Sequence, residues 1–178
     1  LEIKPDVYTE LEKKTHSQWF YFRCVAQKTE STQFEIVNAG KTSFGAGSFP
    51  GFTVCFSHDR KTWRRIQNTE YDQERGVLKW SYDWSQAVTK TAYFAYFAPY
   101  TYEQLLDLIH RCQLAEGVSH RSLGLTLDGR DIDCLRVGTG PLQAWVIHRQ
   151  HPGETQASYF AEGFLARLLG LDDDDSGV

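Results

Sequence analysis

Apolar and polar positions alternate with a period of two through much of the first hundred residues. Trp19, Tyr21, Arg23 and Val25 interleave with Phe20, Phe22 and Cys24. Bulky residues on both faces predict a strand covered on two sides. Residues 33–37 alternate polar and apolar, and short runs rich in aromatic and β-branched residues follow at 52–57, 63–66, 77–82 and 91–97. Turn formers separate them: Asn38-Ala39-Gly40, residues 45–51, His58-Asp59-Arg60 and Arg75-Gly76. Many short strands at this spacing predict an antiparallel β-sandwich.

The period changes after Pro99. Tyr102, Leu105, Leu106, Ile109 and Cys112 recur at helical spacing. Thr101 is placed to cap this helix, with Gln104 completing a capping box. The domain boundary is therefore set between residues 99 and 100, giving a sandwich over 1–99 and a second domain beginning at 100. Residues 122–126 and 132–137 read as strands joined through Asp128-Gly129, a hairpin signal. The apolar run Ala144 to Ile147 predicts a further strand ending at His148. In the last segment Ala157, Phe160, Ala161, Phe164, Leu165 and Leu168 form one continuous apolar helical face, with Gly170 as the natural stop.

Composition narrows the function classes. A chain of 178 residues with 41% apolar and 24% charged residues is ordinary for a globular protein. The net charge of −4 and the lack of a basic stripe argue against nucleic acid as a partner. The longest apolar runs fall far short of the roughly 20 residues of a membrane span, and Leu1-Glu2-Ile3-Lys4-Pro5-Asp6 lacks the apolar core of a signal peptide. Cys24, Cys55, Cys112 and Cys134 are widely spaced, with no Cys-x-x-Cys. That predicts reduced, partly buried thiols in a cytoplasmic protein. The sequence contains no methionine, which predicts a chain trimmed or processed at its start.

The residues with the most chemistry lie between the run ending at Ile147 and the final helix: His148-Arg149-Gln150-His151-Pro152-Gly153-Glu154-Thr155. Pro152 and Gly153 impose a tight turn, and His151 and Glu154 at its two ends can face one metal ion. A catalytic zinc takes three protein ligands and keeps one position open; this pair supplies two. On spacing alone a second reading stands beside it: a surface pair at a helix start, with Glu favoured by the helix dipole.

His-Pro-Gly-Glu-Thr after an apolar run resembles the zinc motif of the metallocarboxypeptidases. The longer stretch from Arg149 to Thr155 is similar to the cytosolic carboxypeptidase subfamily in particular. Residues 19–23 (Trp-Phe-Tyr-Phe-Arg), 94–101 (Phe-Ala-Tyr-Phe-Ala-Pro-Tyr-Thr) and 125–133 (Leu-Thr-Leu-Asp-Gly-Arg-Asp-Ile-Asp) resemble it in the same order. The resemblance implies an N-terminal antiparallel β-sandwich followed by the start of an α/β/α mixed-sheet metallocarboxypeptidase domain over 100–178. It implies Zn²⁺ as cofactor, His151 and Glu154 as its first two ligands, and a peptide or protein C-terminal tail as substrate. The family's third ligand, a His, its catalytic Glu and its carboxylate-gripping Arg match nothing here and are expected beyond residue 178. The chain is thus expected to be an N-terminal portion without peptidase activity of its own. A related zinc acyl-amino-acid deacylase also uses His-x-x-Glu, but the preceding sandwich and the Pro-Gly between the ligands favour the carboxypeptidase.

Other residues carry competing readings. His148 could join a His-His-Glu set, or simply end a strand. Arg149 could steer an anionic substrate or be an ion-paired surface residue, and Gln150 could line a cleft. Exposed, Trp19, Trp63, Trp80 and Trp84 would suit a non-catalytic peptide- or carbohydrate-binding module; buried, they are the sandwich core. The Asp172 to Asp175 run lacks the alternating ligands and turn glycine of a calcium loop and reads as a solvated segment.

Overall fold

The computed structural model describes residues 1–11, 15–27, 30–85, 87 and 89–171, of which residue 10 by its backbone alone. The acidic run at 172–175 lies outside the described residues. The chain divides into two compact units, Leu1–Ala98 and Pro99–Val178.

The first unit consists of antiparallel strands in two sheets. Strands β1 (Tyr21–Val25), β2 (Thr32–Ile36), β3 (Cys55–Ser57), β4 (Arg64–Arg65), β5 (Glu70–Asp72), β6 (Val77–Tyr82) and β7 (Thr91–Ala95) are joined in the orders β1-β7-β3-β4 and β2-β6-β5. Strand β6 begins and ends where the alternation predicted. The short β5 has no alternation of its own to announce it; its pairing with β6 makes it a strand.

Side chains from both sheets fill one core. Phe34 and Trp80 stack at 5.1 Å on one sheet, Phe22 and Phe94 at 5.3 Å on the other, and Phe34 meets Phe94 across the gap at 4.9 Å. Trp80 and Trp84 are buried, while Trp19 and Trp63 are half-buried. Most of this aromatic surface is therefore spent on the core. One expectation fails here. β1 is an edge strand, and Tyr21, Arg23 and Val25 are exposed while only Phe22 and Cys24 turn inward. Its outer aromatic is accommodated laterally, Tyr21 stacking on Tyr93 of the neighbouring strand at 6.2 Å rather than under a second layer.

A close backbone approach ties the turn before β6 to the segment after β2. The Gly40 amide donates to the Gly76 carbonyl at 2.8 Å, and a Cβ at Gly40 would stand 2.8 Å from the Gly76 Cα. Only glycine allows that contact.

The second unit has helix α1 (Tyr102–Gln113), hairpin strands β8 (Val118–Leu125) and β9 (Asp131–Val137), and helix α2 (Gln156–Leu169). The capping box forms as expected: the Gln104 amide donates to Thr101 Oγ1 at 3.2 Å, and the Thr101 amide donates to Gln104 Oε1 at 2.8 Å. Strand β8 starts four residues earlier than its apolar run, at Val118, because the β9 partner extends far enough to pair with it. Gly170 closes α2 in the left-handed conformation, φ 65°.

Two expectations fail in this unit. Residues 144–147 form no strand, since no described segment pairs with them, and Trp145, Val146 and Ile147 are exposed. Apolar alternation becomes a strand only when a neighbouring backbone completes the ladder. The apolar face of α2 is also only partly covered. Ala161 and Ala166 are buried, whereas Phe160, Phe164 and Leu168 are exposed. Helix α1 covers one flank, with an Arg111–Glu162 ion pair at 3.5 Å; on the other flank Phe160 and Phe164 meet the ring of His148.

Candidate metal centre

The segment before α2 folds as a tight turn. The Glu154 amide donates to the His151 carbonyl at 3.1 Å, with Pro152 and Gly153 between them. Proline at the second position of such a turn presets its φ, and glycine at the third accepts either common turn geometry. The Ala157 and Ser158 amides then donate to the Glu154 and Thr155 carbonyls, so the turn runs directly into the helix.

That turn brings the two ends of the motif together. His151 Nδ1 and Glu154 Oε2 stand 2.9 Å apart, with side chains 77% and 51% exposed. Two ligands about 2.0–2.1 Å from one tetrahedral zinc would be separated by about 3.3 Å. The observed spacing is a few tenths of an ångström shorter, as suits two polar groups bonded to each other. Imidazole nitrogen and carboxylate oxygen are both zinc donors, and both are open to solvent. The pair therefore fits two positions of a zinc site. Among the described residues no set of three His, Cys, Asp or Glu side chains converges on one point. His148 does not join the pair: its ring lies 5.7 Å from that of Phe160 and 6.0 Å from that of Phe164.

Arg149 holds the turn from below. Its Nε and Nη2 donate to the Pro152 carbonyl at 3.1 and 2.9 Å, and its Nη1 donates to the Tyr100 carbonyl at 3.3 Å. The same nitrogen reaches Ser158 Oγ at 3.5 Å. The Arg149 backbone takes φ 50°, the left-handed region, unusual for a residue with a Cβ. Burial lowers the guanidinium pKa from its usual value. Beside it, burial first and the Glu162 charge second push Tyr100 up to about 12. Tyr100 and Tyr159 meet edge to face at 5.1 Å, and the Tyr159 hydroxyl donates to the Pro99 carbonyl at 2.8 Å. The sequence offered Arg149 as a substrate-steering or surface residue; its bonds to the Pro152 carbonyl of the turn and to the distant Tyr100 carbonyl are a third role that composition does not reveal. Thr155, next to Glu154, is also more buried than its residue type suggests, and its hydroxyl has no hydrogen-bond partner among the described residues.

Comparison with known proteins places the chain in a family. Residues 1–97 match the model of the cytosolic carboxypeptidase N-terminal domain. An uncharacterised protein of Zymomonas mobilis is 40% identical over 173 residues, 96% of this chain and 43% of that protein. Mouse (Mus musculus) cytosolic carboxypeptidase 3 is 29% identical over 198 residues, 96% of this chain and 19% of its own length. A metallo-carboxypeptidase of Pseudomonas aeruginosa, solved in complex with (2-guanidinoethylmercapto)succinic acid, superposes with a TM-score of 0.83 at 34% identity. That match covers 97% of this chain and 44% of the Pseudomonas chain. The chain thus spans less than half the length of each. With its antiparallel sheets and few helices the chain is similar in structure to that metallo-carboxypeptidase over the part it covers, and it belongs to the cytosolic carboxypeptidase family of metallocarboxypeptidases.

Proposed function

We propose that this chain provides the N-terminal β-sandwich, residues 1–99, and the first part of an α/β/α zinc carboxypeptidase domain, residues 100–178. On this reading His151 and Glu154 are the first two zinc ligands. The observation that carries it is the turn itself, with a zinc-type nitrogen and a zinc-type oxygen 2.9 Å apart and facing solvent. The surface-pair reading explains the hydrogen bond but not the left-handed, braced backbone that leads into it.

Zinc at this position supplies Lewis acidity toward a scissile carbonyl. The residues of the chain bind and orient: His151 offers a ring nitrogen, Glu154 a carboxylate, and Pro152-Gly153 fixes the angle between them. Among the described residues no third His, Cys, Asp or Glu joins the pair, so on this reading the third ligand, a general base and a carboxylate-binding Arg are contributed by other residues. A substrate ending in carboxylate suits this chemistry. The succinic acid portion of the ligand in the Pseudomonas relative, with its two carboxyl groups, is consistent with that class. The substrate is therefore the C-terminal tail of a peptide or protein, and the setting is the cytoplasm, as the family's name suggests. No described helix is long and apolar enough to cross a membrane.

Zinc titration by calorimetry tests the ligands. The chain should bind one zinc weakly, and His151→Ala or Glu154→Ala should each remove that binding. Undiminished binding by both variants would reject the site. The 178-residue chain should release no amino acid from peptide substrates. Steady carboxypeptidase turnover by it would reject the assignment of base and third ligand to other chain.

A further inference from the structure

We infer that Arg149 is a positioning residue for the metal turn: its guanidinium locks the central peptide of the His151–Glu154 turn in one of its two orientations. The inference rests on the ligand reading above and adds a residue to it. The central peptide of a four-residue turn is the one that rotates by about 180° between the two commonest turn types, carrying the carbonyl of the second residue to the opposite side. Here that carbonyl belongs to Pro152. Proline at the second position suits both forms, and glycine at the third permits the form with positive φ. The residues between the ligands therefore leave the choice open. Gly153 is not among the glycines in the left-handed region, so the turn sits in the other form.

Arg149 holds the observed form. Two of its nitrogens, Nε and Nη2, grip the Pro152 carbonyl at 3.1 and 2.9 Å. The third, Nη1, is anchored to the Tyr100 carbonyl at 3.3 Å and reaches the first turn of α2 at Ser158. Rotating the central peptide would pull the carbonyl away from two donors of a planar, always charged fork. The left-handed φ of 50° at Arg149 is a local conformational cost that brings the side chain back under its own turn. Fixing this peptide fixes the directions in which His151 and Glu154 leave the backbone. Partners that orient first ligands in this way change metal affinity by about 10- to 100-fold when removed.

The test compares zinc affinity across variants of the chain, with the NMR line width of the Gly153 amide as a second readout in the metal-free state. Arg149→Gly removes the fork while suiting the left-handed backbone. It should weaken zinc binding about tenfold or more and broaden the Gly153 amide through exchange between turn forms. Arg149→Lys keeps the charge but not the planar fork, and should fall between the two. His151→Ala separates the layers of the argument. Loss of zinc in His151→Ala together with unchanged affinity and a sharp Gly153 amide in Arg149→Gly overturns the positioning role. Full zinc affinity in His151→Ala overturns the ligand reading beneath it. Wild-type affinity in Arg149→Lys contradicts a role that depends on the fork.

Discussion

The first unit turns most of its aromatic side chains inward, and the second leaves several of its largest outside. Phe49, Val54, Leu78 and Phe94 in the first are 0% exposed, whereas Trp145 is 66%, Ile147 68% and Phe160 64% exposed in the second. Both units are written in amphipathic patterns, so composition is not the difference. The first unit closes two sheets over one core. The second has a hairpin and two helices, and its apolar run at 144–147 and one flank of α2 have no layer above them among the described residues. Trp145, Val146, Ile147 and Phe160 are large apolar side chains left more than half exposed. This is what the proposed reading expects of the opening segment of a longer peptidase domain.

The contrast can be broken by substitution. Phe94→Ala empties a fully buried position between the two sheets and should cost about 3–5 kcal/mol in urea unfolding. Phe160→Ala, on the open flank of α2, should change stability by no more than about 0.5 kcal/mol. Equal losses at the two positions would mean that the second unit also has a closed core.

A smaller effect is expected at the helix cap. Thr101→Ala removes one arm of the capping box on α1 and should cost about 1 kcal/mol. It should loosen the second unit in hydrogen exchange and leave β6 and β7 protected. Loss of protection in the strands would contradict an effect confined to the second unit.

The smallest effect is in acid, and it belongs to the first unit. Asp59 accepts bonds from the Thr62 and Lys61 amides and the Ser57 hydroxyl, which hold its carboxyl well below the usual range. Asp72 is lowered chiefly by its bond from Lys79, and Asp83 by the Ser85 amide. Their folded pKa values lie below the unfolded value of about 3.9. Their contribution is therefore present above about pH 4 and lost as pH falls through the folded values. Asp59→Asn should flatten the acid limb of the first unit's stability curve slightly. A steeper limb would reverse the sign.

Legibility in the sequence follows the same divide. β6 was readable because its alternation found a partner in β2, and the capping box at Thr101 and the stop at Gly170 because each depends on residues close in the chain. The His151–Glu154 pair was readable for the same reason, since four residues contain it. Ala144 to Ile147 carries the composition of a strand but lacks a partner, and pairing cannot be read from one segment. The exposed outer face of β1 depends on its place at the sheet edge. The role of Arg149 depends on a positive φ and on the carbonyl of Tyr100, 49 residues away. Neither has a signature in local pattern.

The ligand pair remains the central claim, and the chain's six histidines give it a direct readout. Ring nitrogen resonances of all six can be followed by NMR while zinc is added. The account predicts that zinc shifts the His151 ring and no longer does so in Glu154→Ala, while the His148 ring, packed against Phe160 and Phe164, stays in place. An unmoved His151 ring, with zinc taken up at His148 or His120 instead, would contradict it.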